Sequence, residues 1–273
     1  MKTQIIKPHE VLSDVIDHYF IRKSTNSTEI NQQYPSLSQE LVFNFSDQVE
    51  FRNEQKMSYI KAGSAYLKGI HVKPLTCISS ENHYSIGIVF KPWGLYKMFG
   101  LKSSSYTNKI IDAGAVIDYK YLQFIFEYAK IYSAIDVLNN LESWLLKNNK
   151  NIVLTEEFID AFSQFDESNT QKGAISKVSK GIDLCPKSFI ERFKTIIGVT
   201  PIQYLHIKQI NIALNLLRER PSLALTQLSN DLGFYDQAHF IRVFKAYCNV
   251  TPGQCRKQFY SPLYKSNYEA LSA

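Results

Sequence analysis

Apolar positions change period along this chain. Over the first ninety residues they alternate with polar ones or form short unbroken runs, as strands do; from residue 118 onward they recur every three or four, as on one face of a helix. QELVFNFSDQVEFR (39–52) alternates across Leu41, Phe43 and Phe45 and predicts a half-buried strand. YSIGIVFKP (84–92) is a second short apolar run, ended by Pro92, and SYIKAGSAYLKGIHVKP (58–74) fits one or two more strands with Gly63 and Gly69 as turns or bulges. WGLYKMFG (93–100) reads as a short helix closed by Gly100. Residues 118–149 then turn helical, with Ile131, Ile135, Leu138, Leu141 and Leu145 in one stripe that packs either on the protein's own sheet or along a dimer seam. SQFDESNTQK (163–172) is polar and predicts a linker or loop.

From 173 the pattern is helical throughout, with regular punctuation. AISKVSKG stops at Gly181; CPKSFIERFKTIIG runs from Pro186 to Gly198; TPIQYLHIKQINIALNLLRER has Thr200 as N-cap, Pro201 in its first turn and a stop at Pro221. ALTQLSNDLG, with Thr226 as its expected cap, ends at Gly233. An internal repeat lies within this region. SFIERFKTIIGVTPIQY (188–204) superposes on HFIRVFKAYCNVTPGQC (239–255) at a constant offset of 51, matching Phe189 with Phe240, Phe193 with Phe244, Lys194 with Lys245 and Val-Thr-Pro with Val-Thr-Pro. Each copy follows a short helix and a tight turn, at Gly181-Ile182-Asp183 in the first and Gly233 in the second. That is the order of a helix-turn-helix, whose second helix can enter a major groove. On the later copy Phe240, Val243 and Phe244 share an inward face. Gln237 and Arg242 are then placed to read adenine or guanine edges and Lys245 to meet phosphate.

Charge sharpens this picture. The chain of 273 residues is net +6, and residues 171–260 hold 13 Lys and Arg against 5 Asp and Glu, so this third is net +8 and the remainder net −2. A basic module joined to a slightly acidic one suits a polyanion partner. No apolar run is long enough to cross a membrane and the N-terminus lacks the apolar core of a secretory signal, which points to the cytosol. Cys77, Cys185, Cys248 and Cys255 form no CxxC or zinc spacing and are expected as free thiols. The six histidines show no HxH or HxxxH pair, although His71 and His83 could meet across strands; no GxSxG, P-loop or GxGxxG occurs. No catalytic residue, metal or cofactor is therefore expected, and a metal-dependent cupin-type enzyme with a helical appendage is the alternative. Aromatics near the strands, among them Phe43, Phe51, Tyr66 and Trp93, either pack a core or line a ligand pocket.

LGFYDQAHFIRVFKAYCNVTPGQCRK (232–257) resembles the second helix-turn-helix of the AraC/XylS family of bacterial transcription regulators, in its Gly-Phe, Ala-His-Phe, Arg, Phe-Lys and Thr-Pro. The resemblance implies a DNA-binding domain over 168–260, two helix-turn-helix units joined by the long helix 201–219. It places Gln237, Ala238, Ile241 and Arg242 at bases, with His239 and Lys245 nearer the backbone. In the first unit it places Lys187, Ser188, Ile190 and Glu191 at bases and Lys194 at phosphate. Glu191 departs from the pattern, standing where the second copy has Arg242. FNFSD (43–47) and GIVFKPWGLYKMFG (87–100) resemble the β-rich, cupin-like sensor region of some of these regulators. The expected architecture is α+β: a β-rich cupin-like domain with flanking helices over 1–165, an all-α domain over 168–260 and a flexible tail over 261–273. The partners implied are double-stranded promoter or operator DNA, a small-molecule effector, a second copy of the chain and, for an activator, RNA polymerase.

Overall fold

The structure, a computed structural model, describes residues 2–24, 28–53, 56–167 and 185–260. The described residues include ten strands: β1 (Lys2–Ile6), β2 (Ile16–Lys23), β3 (Glu29–Gln33), β4 (Gln39–Asn44), β5 (Val49–Arg52), β6 (Met57–Ile60), β7 (Ser64–Lys68), β8 (Leu75–Ser79), β9 (Tyr84–Phe90) and, after the first α-helix, β10 (Ile110–Asp112). They form two antiparallel sheets, one of six strands in the order β1-β2-β9-β4-β7-β10 and one of four in the order β3-β8-β5-β6. The stretch 39–52 is two strands, β4 and β5, with a turn between them.

The central strands of the larger sheet are buried on both faces, which explains why β9 reads as a continuous apolar run. Ile86, Ile88 and Phe90 face the main core, and Val89 joins Phe20, Val42, Phe51 and Tyr66 between the sheets. Gly87 is required here, because a Cβ would lie 2.0 Å from Phe20 Cζ. The main core is closed by α1 (Gly94–Phe99), α2 (Tyr119–Tyr128) and α3 (Ala134–Asn148). Leu138, Leu141 and Leu145 pack on the sheet, but Ile131 lies in the turn before α3 and is 79% exposed, so the helical stripe is shorter than its spacing suggests. Most of the aromatics near the strands pack in these cores; Tyr59 is exposed.

Six further helices follow among the described residues: α4 (Glu156–Glu167), α5 (Pro186–Ile197), α6 (Pro201–Glu219), α7 (Leu225–Asp231), α8 (Gln237–Cys248) and α9 (Pro252–Phe259). Two expectations change. Residues 163–167 are helical rather than linker, and α4 packs Phe158, Ala161, Phe162 and Phe165 against Phe189, Phe193 and Tyr204 of the C-terminal helices, so a unit boundary after 165 cuts through one core. The polar ending of α4 conceals an apolar i, i+3, i+4, i+7 face. Thr226 is not a cap: Ala224 holds that position. The helix AISKVSKG, the turn 181–183 and the tail 261–273 lie outside the described residues.

Candidate nucleic-acid interface

The sequence repeat is a repeat in space. Phe189 and Phe193 of α5 are buried beneath its outer face, as Phe240 and Phe244 are beneath that of α8. Both helices end in a left-handed residue, Gly198 at φ 110° and Asn249 at φ 63°. Both are followed by a capping box on a helix that begins with Pro, Thr200 with Gln203 on α6 and Thr251 with Gln254 on α9. Helix α6 joins the two halves. Its N-terminal Tyr204, Leu205 and Ile207 belong to the core of α4 and α5, and its Ile210, Ala213, Leu214 and Leu217 to the core of α7 and α8. Gln209 Nε2 donates to Leu232 O at 2.7 Å and ties it to the turn between α7 and α8. That turn places Gly233 at φ 76° and buries Leu232 and Phe234, and Asp236 caps α8 by accepting from His239 N at 2.6 Å.

Opposite the phenylalanines each helix carries an outward stripe at matching positions. On α8 it is Ala238, Ile241, Arg242 and Lys245; on α5 it is Lys187, Ile190, Glu191 and Lys194. The isoleucines are half-buried and the other six exposed. The spacing i, i+3, i+4, i+7 is that of a single helix face. Ser188 is exposed beside this stripe, its hydroxyl 3.1 Å from Cys185 Sγ, an arrangement that helps lower the Cys185 thiol pKa.

Two residues expected at the DNA are engaged inside the protein. Gln237 Oε1 accepts from Thr226 Oγ1 at 2.6 Å, which commits its amide oxygen to the first helix of the unit. His239 sets its ring edge-on to Phe234 at 5.5 Å and lies on the side of His206, whose pKa is pushed down to about 4 by burial and then by His239. Neither engagement is readable from spacing, because each partner comes from another element.

The sequence gives no hint of how the β domain meets these helices. Carbonyls at a helix C-terminus lack partners within the helix, and for both outward helices the β domain supplies donors there. Gln39 Nε2 donates to Ile197 O at 3.2 Å and Thr107 Oγ1 to Gly198 O at 2.5 Å. Lys73 Nζ donates to Ala246 O near the end of α8, where a cation also suits the helix dipole. The β domain thus holds the C-terminal ends, and the outward stripes stay exposed.

His71 Nδ1 lies 2.8 Å from Gly69 O and His83 Nε2 2.9 Å from Ser85 Oγ, and among the described residues no group of three His, Cys, Asp or Glu could hold a metal. No described helix is long and apolar enough to cross a membrane. The four cysteines form no disulfide with one another; burial pushes the thiols of Cys248 and Cys255 up, the latter to about 11.

Residues 179–258 match the family model of a helix-turn-helix domain, and residues 4–112 match a domain of unknown function, DUF6597. The chain is 29% identical over 110 residues to the probable transcriptional regulator LumQ of Photobacterium leiognathi, covering 40% of this chain and 41% of that one. It is 27% identical over 84 residues to the HTH-type transcriptional regulator MtrA of Neisseria gonorrhoeae, covering 31% and 28%. The matches thus span less than half the length of these curated relatives. The crystal structure of ToxT from Vibrio cholerae aligns over 88% of this chain and 98% of that one, at 11% identity and a TM-score of 0.46. The C-terminal part of the chain thus carries a helix-turn-helix domain over residues 179–258.

Proposed function

We propose that the protein is a sequence-specific regulator of transcription that binds double-stranded promoter DNA through α5 and α8. The observation that carries this reading is the pair of outward stripes at matching positions on two duplicated helices, within a basic third of the chain. A helix fits the major groove with its N-terminal part toward the bases, and here the β domain grips the opposite ends. Arg242 matches guanine and Lys245 and Lys194 match phosphate. Ala238 and Ile241 offer apolar contact to a thymine methyl. In the first unit Lys187, Ser188 and Ile190 face the DNA and Glu191 accepts from a cytosine amino group. Gln237 keeps its amide nitrogen for a base edge, and His239 serves mainly to set the start of α8.

The β domain acts in this reading as the controlling part, by holding or releasing the helix ends through Gln39, Thr107 and Lys73. A second copy of the chain is the natural partner for the exposed Phe124, Ile131, Tyr132 and Ile135, and contact with RNA polymerase follows if the protein activates. No reaction is assigned to it.

Selection of genomic fragments by the full-length protein, followed by binding at graded salt, tests the reading. Enrichment of a few promoter sites is expected, with affinity falling steeply as salt rises. Uniform recovery of all fragments, or affinity indifferent to salt, contradicts it.

A further inference from the structure

Thr226 and Gln237 meet across the turn of the second unit. Thr226 is the second residue of α7 and Gln237 the first of α8, and Thr226 Oγ1 donates to Gln237 Oε1 at 2.6 Å. That distance fits an O–H···O bond and is shorter than the roughly 2.7–3.2 Å of an N–H···O bond, so the carbonyl end of the amide faces the hydroxyl. Both side chains stand on fixed backbone. Leu228 is buried beneath α7, Ser229 Oγ donates to Thr226 O at 2.8 Å, and Asp236 Oδ1 caps α8 at His239 N.

Gln237 sits at the end of α8 that would enter a groove. It is half-buried and lies one turn before Ile241 of the outward stripe, while Thr226 is exposed. In a helix-turn-helix the N-terminal residues of the second helix approach base edges and the first helix crosses the backbone. A glutamine amide can offer its oxygen and nitrogen in either order, and a given base edge accepts only one. Here the hydroxyl fixes the order. The oxygen has two acceptor sites; Thr226 takes one and leaves the other beside the Nε2 donor. An acceptor beside a donor matches N6 and N7 of adenine. The sequence repeat does not carry this pair: at the offset of 51, Gln237 corresponds to Pro186 and Thr226 to Ile175.

We propose that Thr226 is a positioning residue for base reading: its hydroxyl sets the Gln237 amide so that the second unit selects adenine at one position of its site. Thr226 acts through Gln237 and touches no base itself. The inference rests on the DNA-binding function proposed above.

Selection from random double-stranded DNA by the full-length wild type, Gln237→Ala, Thr226→Val and Thr226→Ser tests it, with thermal melts to establish that each variant is folded. Gln237→Ala should lower the preference about tenfold at one position, an adenine in the wild-type motif, and so locate the contact. Thr226→Val keeps the shape of the side chain and removes the hydroxyl. It should lower the adenine preference there about threefold or more and leave the other positions unchanged. Thr226→Ser, which keeps the hydroxyl, should retain the preference. Added to Gln237→Ala, Thr226→Val should change nothing further at that position. Three results overturn the proposal: a base other than adenine at the Gln237 position, a motif that Thr226→Val leaves intact, or a loss of affinity spread evenly over every position, which a purely structural role would give. A wild type with no motif defeats the functional reading and this inference together, whereas a wild-type motif indifferent to Thr226→Val defeats this inference alone.

Discussion

The two halves of the C-terminal domain share a framework and differ at the surface. Phenylalanines, left-handed helix ends, capping boxes and prolines coincide at the offset of 51 residues, whereas Arg242 of α8 is replaced by Glu191 on α5. Lys187 stands where α8 has Ala238, so the first stripe mixes charges and the second is cationic. The buried half of each helix answers to packing, which tolerates little change. The outward half answers to its partner, and duplication leaves it free to diverge. Anchoring differs too. Helix α5 is packed by α4, with Arg192 donating to Thr155 Oγ1 at 3.2 Å, while α8 is packed by α7 and held at its end by Lys73.

The largest effects should fall on the shared framework. Phe193→Ala and Phe244→Ala should each cost about 3–5 kcal/mol in urea unfolding. A large loss at one position only would mean that the halves are not equivalent in packing. The contrast in charge comes next. Arg242→Ala should lose about 1–3 kcal/mol at one base pair, whereas Glu191→Arg should raise affinity for all DNA and steepen the salt dependence by about one phosphate contact. Glu191→Arg should also abolish selectivity at one cytosine; selectivity retained there would mean that Glu191 does not read it. Thr200→Ala and Thr251→Ala should each cost about 1 kcal/mol through the lost cap, seen in the same unfolding experiments.

The smallest effect concerns His206. Its pKa of about 4 in the fold lies below the roughly 6.5 of an unfolded chain. Its neutral form therefore stabilises the fold above about pH 6.5, and that contribution is lost as pH falls toward about 4. His206→Gln should flatten this part of the acid limb; an unchanged limb would assign it to other groups, His71 among them, which burial and then Lys68 also push down to about 4.

The repeat was legible because its signals are local: Val-Thr-Pro, paired phenylalanines and a left-handed stop each sit within a few residues. Strands β4, β7 and β9 were legible for the same reason, whereas β5 was merged with β4 and β8 was missed. The role of α4 was obscured by its polar end, although Phe158, Phe162 and Phe165 carry the helical period. The engagement of Gln237 with Thr226 and of His239 with Phe234 depends on neighbours brought close only by the turn after α7. A cleft lined by Arg22 of β2 and Arg218 of α6 brings together residues that no spacing rule connects.

The central claim is that one face of α8 reads DNA sequence. The most direct test is selection from random double-stranded DNA by the wild-type protein, Arg242→Ala and Lys194→Ala in parallel. The account predicts a defined motif for the wild type, loss of preference at one position for Arg242→Ala, and the same motif at uniformly lower affinity for Lys194→Ala. An identical motif and affinity in the wild type and Arg242→Ala would contradict it.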